Sequence, residues 1–592
     1  MSGGSSSVKA DQILLPGTPN IETVKLFFTP DGGLRWKKAG KDEKKDEWAD
    51  KFTCNTCKRI GLSQKQTAGV GNLSSHLKSC LGCEQIQIKG KEALALQKES
   101  PGQQLDFDAL GWVSQDGKNL YGWIDLMVAK GLPFSACEDE TFLKYMKLTK
   151  LSTETVQKAM HETMNSVVED MKKTMKKPFV LVADCWTEEH TLTHYMGLFS
   201  VVEKEGDGAK DDNGRPIGEK NLLAMSPPLT ETAFTAQVLY EFIVETLKCY
   251  AVIVSPDGIV EGLLAFLSDN TNVCPAIANL LNAPFLGCRS HRFNLAAEAM
   301  IHQEVGATVA KVHEVAKGLR TLKNIGELRA AGFNKQPILA NKTRWGSKIE
   351  EAKRYIEMEE ANVLGPFKAA GHELRSLFPS HREYNALKAW VAKADDCVDI
   401  TKYLQYETGV TLSDAASVFA TFLEEFDPDG DKDLGPKWLN IDAGIVKSKD
   451  FEKGLNKLQK GEAGELTEGE TVALQPLLRV PSGEAAGGAQ AGQLQQRVSI
   501  LNRAGVGKAP KVDNAGAEYI NTDWIPITSN MCERLFSKAK LTIGSLRAAM
   551  TPANLEVLMF LHCNRHMWNI STVCKRRAVN AAAVAAAAAA VN

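Results

Sequence analysis

The sequence predicts a multidomain α/β protein: a small ββα metal module, then a mixed-sheet core interrupted by a helical insertion. Three observations predict it. The chain has 592 residues, too many for one hydrophobic core, so roughly two to four domains are expected. Near the N-terminus, cysteines and a histidine stand at metal-ligand spacing. Between about residues 140 and 300 short β-rich runs alternate with helical patterns, and beyond that the pattern is helical alone.

Composition narrows the function classes. With 44% hydrophobic and 24% charged residues, the balance is that of a globular chain rather than a disordered or collagenous one. No apolar run of about 18 residues occurs, so no membrane span is expected. The opening MSGGSSSVKADQ lacks the apolar centre of a secretory signal. Its 13 Cys are therefore expected as thiols or metal ligands rather than disulfides. The net charge is only −2, which does not mark a nucleic-acid protein. From Arg35 to Lys91, however, 13 Lys and Arg face 6 Asp and Glu, a local excess of 7 and the footprint of a phosphate-binding surface.

After an N-terminal segment expected to be disordered (1–19), residues 20–90 carry the metal module. Cys54 and Cys57 stand at C-x-x-C spacing in FTCNTCKR, and 18 residues separate Cys57 from His76 in GNLSSHLKSC, with Cys80 four positions later. Two ligands on a knuckle turn and two at i, i+4 on one helix face complete a tetrahedron around Zn²⁺. Leu73 and Leu77 of the same helix are expected to pack on the hairpin. Two other pairings use Cys83, either in place of Cys80 or together with it and without His76; the helical spacing favours His76 with Cys80. With its aromatic lead-in (Phe27, Phe28, Trp36, Trp48) and N-L-x-x-H-L helix, the segment resembles a BED-type zinc finger. That resemblance implies DNA binding, with Lys and Arg on phosphates and a helix in the groove. A zinc-stabilised protein-interaction module is the alternative. The run KKAGKDEKKDE reads as a solvated face or a weak nuclear address.

A helical pre-core segment (91–170) leads to the first part of the core (171–300). PFVLVADCW reads as a strand ending on Asp184 and Trp186, HYMGLFSVV as a second and EKNLLAMSPP as a third. ETAFTAQVLYEFIVETLKCY is an amphipathic helix, LLAFLSDN a fourth strand ending on Asp269, NVCPAIANLLN helical, FLGC a fifth strand, and SHRFNLAAEAM the start of another helix. Three strands, a helix, a strand and more helix is the order of a ribonuclease-H-like core. In such a core an Asp on the first strand and one ending the fourth hold Mg²⁺ or Mn²⁺ through oxygen. Paired ions then serve an in-line phosphoryl displacement, and Glu533 is the candidate third carboxylate. Each acid has a plainer reading: Asp269 as a turn former or N-cap, Glu533 as the capping-box partner of Asn530. Asp184 is the hardest to explain so, because an Asp inside an apolar strand needs a partner or a function.

Asp269 and Glu533 are separated by 263 residues. Helical periodicity fills 301–460, and a Gly-, Ala-, Gln- and Glu-rich stretch (461–516) reads as a flexible low-complexity linker. The C-terminal part follows (517–572), then an Ala-rich tail (573–592). From Thr528 to Trp568, TSNMCERLFSKAKLTIGSLRAAMTPANLEVLMFLHCNRHMW sets Glu533 and Arg534 at a helix start. A second helix follows, opened by Thr551 and Pro552, with an apolar stripe of Leu555, Leu558, Met559 and Leu561.

The pattern S-x-x-x-E-R-L-F-S, then Arg, then a helix ending F-L-x-x-N-x-x-x-W resembles the C-terminal block of the hAT transposase superfamily. CRSHRFNL (Cys288, His291, Asn294) is similar to that family's C-x-x-H block, with a buried Cys and a helix-start His as the alternative. KTRWGS (Arg344, Trp345) is similar to its R-W motif, whose Trp is thought to stack on DNA, with packing into the helical domain as the alternative. The resemblance implies a cut-and-paste DNA transposase with Asp184, Asp269 and Glu533 as ligands of Mg²⁺ or Mn²⁺. It implies double-strand cleavage with hairpins on flanking DNA, and strand transfer by the freed 3′ hydroxyl. Cys288, His291, Arg344 and Trp345 would support DNA or the active site. Double-stranded DNA and a second copy of the chain, joined through the C-terminal helices, are the implied partners, and a nuclear location follows from the substrate. The competing reading is a domesticated or decayed copy that binds DNA, dimerises and regulates transcription without cutting. A zinc-dependent interaction scaffold is a third.

Overall fold

The computed structural model describes residues 24, 27–38, 47–57, 59, 62–65, 71–81, 115–206, 208–228, 234–340, 345–406, 409–479, 503–504, 518–544, 550–570 and 572–573. Cys83, Arg344, the segment 1–19, nearly all of the Ala-rich tail and most of the low-complexity stretch lie outside them. The chain forms a mixed α/β structure of two compact units, Met1–Met171 with Thr542–Asn592, and Lys172–Leu541.

The first unit opens with a three-stranded antiparallel sheet in the order β1 (Phe28–Lys38), β2 (Glu47–Cys54), β3 (Leu62–Lys65), followed by helix α1 (Gly71–Leu81). That is one strand more than the ββα expectation. Leu73 and Leu77 are fully buried with Phe27, Phe28 and Cys54, against Phe52 and Leu62 from the strands. Helices α2 (Gln115–Lys130), α3 (Glu140–Tyr145) and α4 (Thr153–Thr174) follow.

The C-terminal helix α16 (Pro552–Cys563) begins where Thr551 and Pro552 predict, the Thr551 hydroxyl accepting from the Asn554 N–H. Its stripe of Leu555, Leu558, Met559 and Leu561 is buried, and the helix packs on α2, whose Trp123, Ile124 and Met127 are fully buried. Arg565 closes this packing: its guanidinium lies 4.1 Å from the Trp568 ring and 2.8 Å from Asp125. The apolar stripe, of the kind that packs on a core or on a partner chain, is covered within the chain.

The second unit holds a five-stranded sheet in the order β6-β5-β4-β7-β8, built from β4 (Phe179–Thr187), β5 (His194–Glu203), β6 (Gly218–Ser226), β7 (Leu263–Ser268) and β8 (Phe285–Gly287). The pairs β4–β5 and β5–β6 are antiparallel, β4–β7 and β7–β8 parallel. Near-continuous apolar runs such as Phe179–Ala183 are buried on both faces, as central strands covered by helices require. The crossover before β7 is α5 (Ala236–Cys249), capped by Thr235, and α6 (Val273–Leu280) separates β7 from β8.

Beyond β8 the structure is helical: α7 (Arg289–Leu319), α8 (Leu322–Ala330), α9 (Trp345–Glu360), α10 (Gly365–Lys368), α11 (His381–Leu404), α12 (Leu412–Phe426), α13 (Lys449–Lys460) and α14 (Glu468–Ala473). Capping boxes start α11 (Ser380 with Glu383), α12 (Thr411 with Asp414) and α14 (Thr467 with Glu470). The first part of the expected linker is therefore ordered. Glu470 pairs with Lys457 at 2.7 Å, Leu474 and Leu477 are fully buried, and residues 478 and 519 form a β-bridge. Capping signal and apolar spacing outweigh Gly-rich composition in 461–479.

Within the helical region a buried charge cluster joins α7, the helix that follows β8, to α13. Arg289 and Arg292 of α7 both reach Glu452 of α13, at 2.7 and 3.3 Å. Arg292 also donates to the carbonyls of Trp438 and Asn440, each at 2.8 Å. Helix α15 (Asn530–Ile543) completes the unit and carries Glu533 in its first turn.

Candidate functional site

In the first unit Cys54, Cys57, His76 and Cys80 converge, their ligand atoms all within 4.8 Å of one another. Cys54 and Cys57 bracket the turn after β2, where the Cys54 N–H donates to the Arg59 carbonyl at 2.9 Å. His76 and Cys80 lie one helical turn apart on α1. The Cys57 Sγ stands 3.3 Å from His76 Nε2, and the Phe28 ring meets His76 edge-on at 6.0 Å. Hydrogen bonds from Cys54 and Cys80 lower the Cys57 thiol from its usual range, which favours the thiolate, the form that binds metal. Three soft sulfurs and one imidazole in a compact, half-buried set can hold a metal such as Zn²⁺.

The second unit presents the carboxylates. β4 and β7 run parallel with Val182 opposite Leu267. Asp184 and Asp269 each follow two residues later, so strand alternation sets both on one face, at the same end of neighbouring strands. Across the other ladder Asp184 pairs with Gly197 of β5. Helix α15 closes over that glycine: a Cβ there would stand 3.1 Å from both Leu535 and Phe536, which is why this position has no side chain. Phe536 stacks on Trp186 at 5.9 Å, and Trp186 on Tyr195 at 5.6 Å. Lys540, in the last turn of α15, pairs with Glu189 of the β4–β5 turn at 2.7 Å.

The start of α15 is pinned by the start of α7. The Arg289 N–H donates to the Ile527 carbonyl at 2.9 Å, the Ser529 N–H to Cys288 Sγ at 3.3 Å, and the Asn530 amide to Ser290 Oγ at 3.2 Å. The CRSH segment thereby carries Glu533 to the sheet despite its distance in sequence.

Burial pushes the Asp184 carboxyl up to about 7; the charge of Asp269 adds to this, the Cys185 N–H opposes it, and the charge of Glu533 adds further. Asp184 therefore feels the charges of both Asp269 and Glu533. Among the described residues, neither Asp184 nor Asp269 makes an ion pair, and each has an Oδ2 that accepts no hydrogen bond; Asp184 Oδ1 takes the Cys185 N–H at 2.8 Å. All-oxygen donors without a cationic partner suit a hard divalent ion. Yet they do not draw together as the Cys/His set does, which alone among the described residues converges so closely. No known family model matches the chain, and no curated protein does.

The remaining sequence-predicted residues divide. Cys288 is buried and works through its contact with Ser529, while His291 is half-buried on the first turn of α7. Trp345 is 4% exposed, edge-on to Phe293 at 6.1 Å, with its Nε1–H on Asn294 Oδ1 at 2.6 Å. Its ring packs in the helical region rather than facing outward for a base. Asp269 also plays its plainer part, accepting the Thr271 N–H at 3.2 Å in a local turn. Residues not singled out from sequence include Gly197, Thr271, Cys274 and the Arg289–Glu452–Arg292 cluster. For Thr271 and Cys274 a signal existed: in Asp-x-Thr-x-x-Cys, the Thr can close a turn on the Asp and the Cys enters the next helix at its first turn.

Proposed function

We propose that this chain is a metal-dependent DNA transposase of the hAT type, cutting and joining DNA at the carboxylate site and binding DNA through a zinc-loaded BED-like finger. The observation that carries the reading is the shared strand register of Asp184 and Asp269, with α15, the helix that bears Glu533, packed over Gly197 through Leu535 and Phe536. The sheet order, three antiparallel strands followed by two parallel ones, supports a ribonuclease-H-like core. Bound Mg²⁺ or Mn²⁺ would supply charge stabilisation to an attacking and a leaving oxygen. Burial pushes the Asp184 carboxyl up to about 7, so near neutral pH a proton would compete with a cation for it. Nuclear location and self-association belong to the same reading, and self-association would use surfaces other than the α16 stripe.

A regulator that binds DNA without cutting is favoured by one observation: among the described residues the set that converges to hold a metal is Cys54, Cys57, His76 and Cys80, and the three carboxylates are not part of such a set. The deciding experiment uses DNA carrying the terminal sequences that flank the chain's own coding locus, with Mn²⁺ or Mg²⁺ and Asp184→Ala as control. Metal-dependent nicks and hairpins that vanish in the variant support the transposase. Salt-sensitive binding with no cleavage, indifferent to the variant, supports the regulator.

A further inference from the structure

Every side-chain proton around Asp269 can be assigned. Its Oδ1 takes the Thr271 N–H at 3.2 Å, lies 2.8 Å from the Thr271 hydroxyl, and lies 3.0 Å from Cys274 Sγ. Ser268, 2% exposed, donates its single hydroxyl proton to the Ala183 carbonyl at 2.7 Å, and its Oγ stands 3.2 Å from Cys274 Sγ. With that proton engaged, Ser268 can only accept. The Cys274 thiol then has two acceptors in reach, Ser268 Oγ and a carboxylate, and the ionised oxygen is the stronger. Thr271 Oγ1, 3.3 Å from Cys274 Sγ, likewise gives its one proton to the carboxylate.

We infer that Thr271 and Cys274 are positioning residues of the carboxylate site. They saturate Asp269 Oδ1 with three donors and leave Oδ2 as the oxygen offered to a divalent ion. Through Ser268 the network also ties the end of β7 to Ala183, the residue before Asp184, so one chain of hydrogen bonds fixes the spacing of the two carboxylates. A ligand held in a single orientation by outer hydrogen bonds binds metal more tightly than a free one. The inference rests on the carboxylate site being a cation site at all.

The test measures binding rather than cleavage. The full zinc-loaded chain is titrated with Tb³⁺, whose luminescence is sensitised by nearby tryptophan, Trp186 being two residues from Asp184. The part of the signal lost in Asp184→Ala defines the site. Cys274→Ala and Thr271→Val should each raise the half-saturating Tb³⁺ concentration about tenfold, the usual size of an outer-ligand effect. Cys274→Ser and Thr271→Ser, which keep a donor, should bind like the parent, and thermal midpoints of all four should stay close together. Equal affinity in the donor-deleted variants, with the Asp184-dependent signal intact, overturns the positioning role and leaves the site standing. Absence of any Asp184-dependent signal in the parent overturns the cation site and this inference with it.

Discussion

Asp184→Asn tests the electrostatics of the carboxylate site independently of any reaction. The carboxyl is raised from the usual 3.8 to about 7, so the folded state holds its proton longer than the unfolded one. Below about pH 4 both states are protonated and the group contributes no difference. Between there and pH 7 ionisation becomes progressively costlier in the fold, and above 7 the full penalty applies. At 1.36 kcal/mol per pH unit that penalty is at most about 4 kcal/mol, and partial solvent contact reduces it to about 2 kcal/mol. The neutral amide escapes it. The variant should therefore melt roughly 2–4 °C above the parent at pH 8 and level with it at pH 4, in buffer without added divalent ion. Adding Mn²⁺ at pH 8 should raise the parent's midpoint and leave the variant's unchanged. A variant less stable than the parent at pH 8 would refute the reasoning, since Asp184 would then be a stabilising partner rather than a strained acid.

Mass spectrometry under native conditions should find one zinc per chain in the first unit. His76→Ala should release it and unfold β1–β3 with α1, seen as lost amide-exchange protection there and not in the second unit. Glu452→Gln leaves the guanidiniums of Arg289 and Arg292 buried without their carboxylate, and should cost about 3–5 kcal/mol in a denaturant titration. Replacing all three with apolar residues of similar volume should recover much of that loss. Gly197→Ala forces Leu535 and Phe536 to move and should cost about 1–3 kcal/mol; adding Leu535→Ala should not deepen the loss in proportion. Trp345→Phe removes the bond to Asn294 and should lower stability by about 1 kcal/mol while leaving DNA affinity, read by anisotropy, unchanged.

Much of this was legible because it is written in local pattern. All five strands of the larger sheet, Asp184 at the end of an apolar run, and the helical spacing of His76 and Cys80 follow from periodicity and ligand distance. β3, only the four residues Leu62–Lys65, has no alternation to announce it, since its pairing with β2 alone makes it a strand. Gly197 reads as an ordinary strand glycine until the helix that needs its empty space is known. Arg289, Arg292 and Glu452 carry the residue types of a solvated surface, and nothing local reveals that they neutralise one another inside. Trp345 reads from sequence either as a ring for stacking on DNA or as one packed in the helical region, and only tertiary structure shows the packing. Phe293 and Asn294, 52 and 51 residues earlier in the chain, form a slot that encloses its ring.

The first turn of α7 is where these long-range effects meet. Through Cys288 Sγ, the Arg289 N–H and Ser290 Oγ it holds residues 527–530, the entry to the helix bearing Glu533. Through the Arg289 and Arg292 side chains it holds Glu452 of α13. One short segment thus grips the helical region with its guanidiniums and the Glu533 helix with its backbone and small side chains. Because a close-packed interior transmits displacement instead of absorbing it, a shift of α13 is felt at Glu533 without any change to Asp184 or Asp269. The 263 residues between Asp269 and Glu533 are therefore part of how the third carboxylate is set in place.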